Sequence, residues 1–209
     1  MVHNQPAGVR KRRAAMAPHT GQPDRRVLRT QRALGAALRE LMLTKRFDTI
    51  TVQHVLDLAH VSRSTFYAHY RNTEDLLLSD AEHFFTALDH HFEQSSIGGA
   101  RVAPVAELLH HVRSVRGFER ALGPSGKRTM MFQFMTEHFA RTIERRLTAL
   151  MPDRAAAPAP IQLAARMFAA ALMEVLSWWL DRDTSLTPEA VDARYHELVW
   201  SGMTAGGRA

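Results

Sequence analysis

Residues 51–77 constrain the fold more than any other segment of this 209-residue chain. Apolar residues at the start of the segment recur at positions i, i+3, i+4 and i+7, which is the pattern of a helix with one buried face. They are Val52, Val55, Leu56 and Ala59. Thr51 is the predicted N-cap, and Ile50 and Val55 occupy the two positions of a hydrophobic staple. The segment therefore predicts a helix that must pack against other parts of the chain.

A second capped helix follows almost at once. Ser62 is its predicted N-cap, and Val61 and Phe66 occupy the staple positions around that cap. Only His60 and Val61 separate Ala59 from the cap. This connection is too short for a loop and is typical of the turn in a helix-turn-helix.

The second helix has an outward face that suits DNA. If Phe66 turns inward, this face carries the guanidinium of Arg63, the hydroxyl group of Ser64 and the phenol of Tyr67. His69 follows on the same side. Such groups can bind base edges and phosphate oxygens. A helical hairpin with a merely solvated polar face has the same spacing, so spacing alone leaves both interpretations open.

The residues themselves go further than their spacing. The run Val-Ser-Arg-Ser-Thr-Phe-Tyr-Ala-His-Tyr at 61–70, followed by Arg-Asn-Thr-Glu-Asp-Leu, closely resembles the signature of the tetracycline-repressor (TetR) family of bacterial transcription regulators. The resemblance covers residues 24–80, and beyond them only the helical layout is similar. Two residues depart from the family pattern. His60 stands where glycine is usual, which brings strain if φ is positive, and Thr73 stands where a phosphate-binding lysine is usual.

The resemblance implies a set of DNA-facing residues, which we carry over by motif position. The set is Thr51, Gln53, Ser62, Arg63, Ser64, Thr65, Tyr67, His69, Tyr70 and Thr73. The expected partner is double-stranded DNA.

Positive charge is concentrated at the amino end. The formal net charge is +6, but residues 1–32 hold eight Lys and Arg residues against Asp24 alone, which leaves the remainder at −1. This asymmetry is expected if one end of the protein faces a polyanion. We predict a disordered basic arm at 1–22, which is either a solvated tail or a further DNA contact. The absence of cysteine and of an apolar amino-terminal run favours a cytoplasmic location.

The rest of the pattern is helical, so the expected fold class is all-α. One helix is predicted at 24–45, with Gly35 at a close approach between helices, and others at 72–94, 102–116, 127–151, 161–182 and 188–203. We expect a helix-turn-helix DNA-binding domain at 23–72 and a larger helical ligand-binding and dimerisation domain at 73–209. The apolar span 161–180 is interrupted by Gln162, Arg166 and Glu174. Because charges at bilayer depth are costly, we interpret this span as a buried soluble helix.

Two apolar stripes on the last pair of helices indicate self-association. In the family these helices form a four-helix dimer interface, and the resemblance implies the same here. An intramolecular core is the alternative, although three tryptophans in so short a region favour an interface. The interface residues predicted are Leu172, Val175, Trp179, Val199 and Trp200. A two-fold dimer implies an approximately palindromic operator, because its recognition helices enter successive major grooves.

The resemblance also implies an effector pocket in the second domain. Its candidate lining residues are soft, aromatic or hydrogen-bonding, although side chains of this kind are more often core. The residues chosen are His111, Phe134, Met135, His138 and Met173. We expect no metal, because the histidines lack the spacing of known ligand motifs, and we expect no cofactor.

These observations favour a ligand-responsive regulator, a repressor that a small apolar or amphipathic effector releases from its operator. An alternative is a helix-turn-helix regulator whose second domain responds to a protein partner or binds no effector. We do not expect an enzyme, because the sequence has no nucleophile elbow, phosphate-binding glycine loop or metal motif.

Overall fold

The computed structural model describes residues 25–95, 99–114, 121–123, 126–154, 158–182 and 184–205. Within these residues the chain is all-α, without strands. Eight α-helices are formed by the described residues, and we number them α1 to α8. They are Arg25–Thr44 (α1), Val52–Ala59 (α2), Arg63–Tyr67 (α3), Thr73–Ser95 (α4), Val105–Ser114 (α5), Gly126–Leu150 (α6), Pro158–Asp181 (α7) and Pro188–Ala205 (α8). Two short 3₁₀ turns lie at Phe47–Thr49 and Pro152–Arg154.

The first three helices share a small core. Leu34, Leu38 and Met42 of α1 are buried against the inward face of the next two helices, where Val55 and Phe66 are completely inaccessible to solvent. Burying such side chains contributes about 1.5–3 kcal/mol each, which stabilises helices too short to stand alone. The apolar pattern of the sequence predicted this arrangement.

Helix α4 connects this small unit to the remainder. Asn72 is its N-cap, as predicted, because the Asn72 side-chain oxygen accepts a hydrogen bond of 2.8 Å from the Asp75 N–H. About two turns into α4, the Asp80 side chain packs against Gly35 of α1, and a Cβ on residue 35 would overlap the Asp80 carboxylate. The predicted close approach at this glycine is therefore confirmed.

The start of α5 differs from the prediction. The helix begins at Val105, not at residue 102, and Pro104 precedes its first turn. Proline disfavours helical backbone in the residue before it, so the two preceding residues cannot join the helix. Val102 and Ala103 are instead fully buried, and the Ala103 N–H donates to His196 Nε2 of α8 at 3.4 Å.

The larger part of the protein is a bundle of α4 to α8. Helix α6 packs along α7, and α5 packs on α8. Arg101 joins the segment before α5 to both helices, with Nη2 2.6 Å from Glu107 Oε2 and 2.6 Å from Asp192 Oδ1. These charge-assisted bonds are partly buried, so they fix the geometry of this end of the bundle.

By length and composition, one helix of the described residues, Ala159–Asp181, is apolar enough to cross a membrane. One face of this helix, with Ile161, Ala165 and Leu172, is packed in the core. Its polar face carries Arg166, which lies 3.3 Å from Glu137 of α6. The helix therefore packs in the bundle on one side, as predicted, and is exposed on the other.

Candidate nucleic-acid interface and ligand cavity

The start of α2 is fixed by a reciprocal cap. Thr51 Oγ1 accepts a hydrogen bond of 3.3 Å from the His54 N–H, and His54 Nδ1 accepts one of 3.3 Å from the Thr51 N–H. Thr51 is thus the N-cap, as predicted. The residue expected to face DNA therefore also holds the helix end in place.

The turn between α2 and α3 is left-handed at His60. This residue has φ 54° and ψ 42°, and its N–H donates to the Leu56 carbonyl, which ends α2. Glycine accepts this conformation without penalty, whereas a side chain with a Cβ does not. The condition for strain stated from the sequence is therefore met.

We expect His60→Gly to raise the free energy of unfolding by about 0.5–1 kcal/mol. This value is the left-handed penalty of roughly 1–2 kcal/mol less the extra backbone freedom that glycine loses on folding. Urea unfolding measures the change. His60→Ala is the control because it keeps the Cβ, and stabilisation by both substitutions would show that the turn is not the cause.

Helix α3 is short and strongly anchored. Ser62 caps it, as predicted, with Oγ accepting a bond of 3.2 Å from the Thr65 N–H and lying 2.8 Å from Thr65 Oγ1. Phe66 is fully buried on its inner side. Five residues are too few for a stable isolated helix, so packing and capping hold it in place.

The outer side of α3 is exposed and linked to α2. Arg63, Ser64 and Tyr67 face solvent, and 51% of Tyr67 is accessible. Arg63 Nη2 donates to Gln53 Oε1 at 3.0 Å, and Gln53 Nε2 donates to Asp57 Oδ1 at 2.7 Å. The guanidinium is therefore held by an amide that is itself oriented by a carboxylate. Arginine and glutamine are the side chains that pair most specifically with guanine and adenine.

Tyr70 corrects the DNA-facing set. Its ring is 5% exposed and packs 5.8 Å from the Phe66 ring, so it belongs to the core and does not face DNA. Burial raises the pKa of the Tyr70 phenol, against the effect of a hydrogen bond with Ser79. The spacing of four residues from Phe66 was the available signal: α3 ends at Tyr67, but the Tyr70 N–H still donates to the Phe66 carbonyl at 2.9 Å, as in a helical turn.

The remaining residues of the set differ in exposure. Gln53 and Ser62 are exposed, as is Thr51, whereas Thr65, His69 and Thr73 are half-buried. The predicted arm at 1–22 lies outside the described residues.

A cavity of about 230 Å³ lies where α1, α4, α5, α6 and α7 meet. Its wall is mostly apolar and aromatic. Side chains lining it include Phe84, Phe85, Leu108, Met131, Phe132 and Met135. Four polar or charged side chains also reach it, namely Arg39, Asp80, His111 and Arg128. A concave, mostly apolar site with few polar groups is the usual form of a small-molecule site.

Only part of the predicted pocket set reaches this cavity. His111 and Met135 line it, whereas Phe134, Met173 and His138 do not. Met173 is 5% exposed in the core, and Phe134 lies beside Phe85 with ring centroids 6.3 Å apart. A periodic Met or Phe pattern shows that a residue turns inward, but not whether it meets a neighbour or an empty space.

His138 belongs to a buried polar cluster instead. Its Nε2 lies 3.1 Å from Asp89 Oδ2, which also accepts a hydrogen bond of 2.7 Å from Thr142 Oγ1. Among the described residues, the buried atoms His138 Nε2 and Asp89 Oδ1 have no hydrogen-bond partner. Burial would raise the pKa of Asp89, but the contacts with His138 and Thr142 and the charge of Arg145 hold it below its ordinary value.

The charged residues of the cavity were not predicted from the sequence. Arg39 of α1 forms an ion pair with Asp80 of α4, and Arg128 of α6 lies 3.5 Å from Asp181. The His111 ring stacks on Phe84 with centroids 3.8 Å apart. Burial and the nearby charge of Arg39 lower the pKa of His111, so this imidazole is neutral near pH 7. Gly35 could have indicated this region, because a glycine inside a helix often lies where another group packs closely against that helix.

Two of the five predicted interface residues, Val175 and Val199, line the groove that the last two helices expose. Leu172, Trp179 and Val199 are buried inside the protomer, at 0%, 7% and 1% exposure. Val175 and Trp200 are half-buried. An apolar groove of about 380 Å³ between α7 and α8 is open, and its walls include Phe168, Ala171, Val175, Trp178 and Leu198. Helix α7 is apolar on more than one face, so the periodic pattern alone did not show which apolar residues are exposed.

No cluster of three or more His, Asp or Glu side chains that could bind a metal occurs among the residues that the structure describes.

Comparison with known proteins shows which proteins resemble this chain in sequence and fold. No protein-family model matches the chain. A curated relative, the uncharacterized HTH-type transcriptional regulator YxbF of Bacillus subtilis (strain 168), is 40% identical over 57 residues. That match covers 27% of this chain, and the chain spans about 15% of the length of that relative.

Solved structures match most of the chain. A TetR transcriptional regulator from Streptococcus agalactiae 2603V is 25% identical with a TM-score of 0.55, over 84% of this chain and 96% of its own. The chain is therefore similar to a TetR-family transcriptional regulator over most of its length. The dihydroxyacetone kinase operon activator DhaS has a similar fold at 19% identity, with a TM-score of 0.62, over 84% of this chain and 97% of its own.

The TetR-family resemblance stated from the sequence is therefore confirmed, as is the all-α fold with an amino-terminal DNA-binding helix-turn-helix. The relatives are named as transcription regulators or an operon activator, and none is named as an enzyme. The prediction of a regulator rather than an enzyme agrees with them.

Proposed function

We propose that this protein is a cytoplasmic, ligand-responsive transcription regulator that binds an approximately palindromic operator as a homodimer. The observation that carries the proposal is the exposed face of α3, on which Arg63 is held by Gln53 beside Ser64 and Tyr67. An exposed guanidinium bonded to an amide on the neighbouring helix presents donors and acceptors in a fixed geometry. Such a surface suits the edges of base pairs in the major groove.

The DNA-binding domain in this proposal comprises residues 23–72, and residues 73–209 form the ligand-binding and dimerisation domain. Dimerisation would use the groove between α7 and α8. Leu163, Met167 and Leu198 are 62%, 62% and 56% exposed on these helices. Large apolar side chains on adjoining helices favour an interface over solvent. In a two-fold dimer the two copies of α3 are spaced to enter successive major grooves, roughly 34–36 Å apart.

The effector in this proposal occupies the cavity between α1, α4, α5, α6 and α7. The cavity is bounded both by α1, which supports the helix-turn-helix, and by the bundle. A ligand that fits only one spacing of the two α3 helices shifts the protein toward that spacing. By reciprocity, operator DNA then weakens ligand binding by the same factor. We propose repression, with the effector causing release from the operator.

Selection of bound fragments from random DNA tests the proposal. We expect an enriched, approximately two-fold symmetric sequence with half-site centres about one helical turn apart. A promoter carrying this sequence upstream of a reporter gene then shows whether binding lowers expression. Purified protein that enriches no sequence even at low ionic strength would contradict the proposal.

Arg63→Ala should weaken binding to the selected operator by about 1–3 kcal/mol and relax preference at one base position. The reason is the loss of a bidentate donor oriented by Gln53. Fluorescence anisotropy with the operator and with a scrambled duplex measures both effects. Arg166→Ala removes the same charge on α7 and is the matched control. Equal weakening on both duplexes would indicate a phosphate contact instead.

The link between Gln53 and Arg63 is tested by the double mutant. If the two side chains act as one unit, the effects of Gln53→Ala and Arg63→Ala should not add, with an interaction energy of about 0.5–3 kcal/mol. Additive losses would show that each residue binds DNA independently of their 3.0 Å hydrogen bond.

A further inference from the structure

The charged groups of the cavity compensate one another. The Arg39 guanidinium forms an ion pair with the Asp80 carboxylate, and both side chains line the cavity. Arg128 Nη2 lies 3.5 Å from Asp181 Oδ1, and the Arg128 guanidinium lies over the Phe132 ring, 5.5 Å from its centroid. Each cation that reaches the cavity therefore has a carboxylate partner, so the wall offers no unpaired charge to a ligand.

These ion pairs disfavour a charged ligand. To bind a carboxylate, Arg39 would have to leave Asp80, whose side chain is only 19% exposed. Removing one partner of a partly buried pair leaves the other charge uncompensated, which is costly. An ammonium group would likewise have to displace Arg39 from the same carboxylate, and either charged group would lose its water against a mostly apolar wall. A neutral ligand leaves both pairs intact.

The imidazole of His111 is the polar group of the wall that remains open to a ligand. Its ring stacks on Phe84, and burial together with the charge of Arg39 lowers its pKa, so the ring is neutral near pH 7. Within the part of the chain that the structure describes, neither ring nitrogen makes a hydrogen bond, whereas the backbone carbonyl accepts one of 2.6 Å from Ser114 Oγ. A neutral imidazole has one donor and one acceptor, and a hydroxyl group can pair with either.

We propose that the cavity binds an uncharged molecule with a body of one or two rings and a hydroxyl group that forms a hydrogen bond with His111. Phe84, Phe85 and Phe132 supply aromatic surface for the body. The volume of about 230 Å³ is below the range of about 300–1,000 Å³ typical of drug-sized ligands, which limits the body to this size. The action of this ligand as the effector rests on the proposed function.

A ligand at this site contacts the helix that supports the DNA surface. His111 is on α5 and Phe84 on α4, whereas Arg39 is on α1. Helix α1 packs on α2, which holds Arg63 through Gln53. Binding between these helices can therefore favour one position of the helix-turn-helix over another, so operator affinity is measured together with ligand binding.

Two pairs of probes separate charge from hydrogen bonding. The anion 2-naphthoate and 2-naphthamide have nearly the same shape, and 2-naphthol differs from naphthalene by its hydroxyl group. In calorimetric titrations at pH 7 we expect the amide to bind at least about tenfold more tightly than the anion, because an unpaired charge in an apolar site is costly. We expect 2-naphthol to bind about two- to tenfold more tightly than naphthalene, the usual net gain of one hydrogen bond. The corresponding ethylbenzene derivatives repeat both comparisons on a single ring.

His111→Phe keeps an aromatic ring beside Phe84 and removes both ring nitrogens. It should bind 2-naphthol and naphthalene equally, with naphthalene affinity unchanged, and should still favour the amide over the anion because both ion pairs remain. His111→Leu also removes the nitrogens and decides the question if His111→Phe does not fold. His110→Phe changes the adjacent exposed histidine, which is outside the cavity wall, and is the matched control with native preferences.

Four results would each overturn the proposal. They are tighter binding of the anion than of the amide, no binding of any probe, equal binding of 2-naphthol and naphthalene by the native protein, and a hydroxyl preference that survives the loss of the His111 nitrogens. A hydroxyl preference that disappears in His111→Phe and remains in His110→Phe supports it.

The outcomes separate this inference from the function on which it rests. A protein that selects an operator but shows neither preference refutes this ligand class and leaves a DNA-binding regulator. A protein with a His111-dependent hydroxyl preference but no selected operator refutes the regulator and leaves the ligand site. If 2-naphthol binds through His111 and operator affinity is unchanged, the ligand site stands and its action as the effector is refuted.

Discussion

Ala171→Glu is expected to make the protein monomeric and to weaken operator binding by a factor of about 10² to 10⁴. That factor is the usual gain from linking two binding modules, which a monomer loses. Ala171 is exposed on α7 and lines the groove between α7 and α8. In a two-fold dimer the substitution places two glutamates in one apolar interface, where unpaired charges are costly. The monomer itself tolerates the change because the site is exposed.

Gln162→Glu is the matched control. It adds the same charge to the same helix at an exposed position on the opposite side, with Arg166 four residues further on. We expect it to remain dimeric with unchanged operator affinity. Sedimentation and anisotropy titration measure the two properties. A dimeric Ala171→Glu protein would place the interface elsewhere, and a monomer with full affinity would contradict binding to two half-sites.

Phe66→Ala should lower the free energy of unfolding by about 3–5 kcal/mol, the usual loss for a phenylalanine removed from a core. Phe66 is completely buried beneath the five-residue helix α3, so the cavity opens directly under the DNA surface. Because that helix depends on packing, we expect operator binding to be lost even where the bundle remains folded.

Urea unfolding followed by circular dichroism measures the stability, and anisotropy measures operator binding. Phe66→Leu fills most of the space and should cost only about 1–1.5 kcal/mol while retaining operator binding. If Phe66→Ala bound the operator with native affinity, α3 would be held by its cap and neighbours alone, and the packing argument would be wrong.

Features that depend on residues close together in the sequence were predictable, and features that depend on residues far apart in the sequence were not. The caps at Thr51, Ser62 and Asn72, the turn at His60 and the burial of Phe66 depend on residues within a few positions of each other. Short-range rules for capping, stapling and helical periodicity therefore suffice for them. The placement of α2 and α3 follows from the same rules.

The cavity and the exposed groove depend on which helices become neighbours. Arg39 and Asp80 are 41 residues apart in the chain, and no periodic pattern indicates that they meet. On α7, buried Leu172 and exposed Ala171 are adjacent in sequence, so a helix rich in apolar residues does not show which stripe turns inward. The prediction for Tyr70 failed for a different reason. Its motif position indicated a DNA contact, whereas its spacing of four residues from Phe66 indicates burial.

The hydrogen bond between Arg63 and Gln53 limits how DNA preference can be transplanted. A graft of α3 alone into another regulator would carry the guanidinium without the amide that aims it. The Gln53 amide in turn donates a hydrogen bond to Asp57. The smallest segment that could transfer the DNA preference therefore includes both short helices and the turn between them. Engineers who exchange recognition helices between such proteins would need to move residues 51–67 as one cassette.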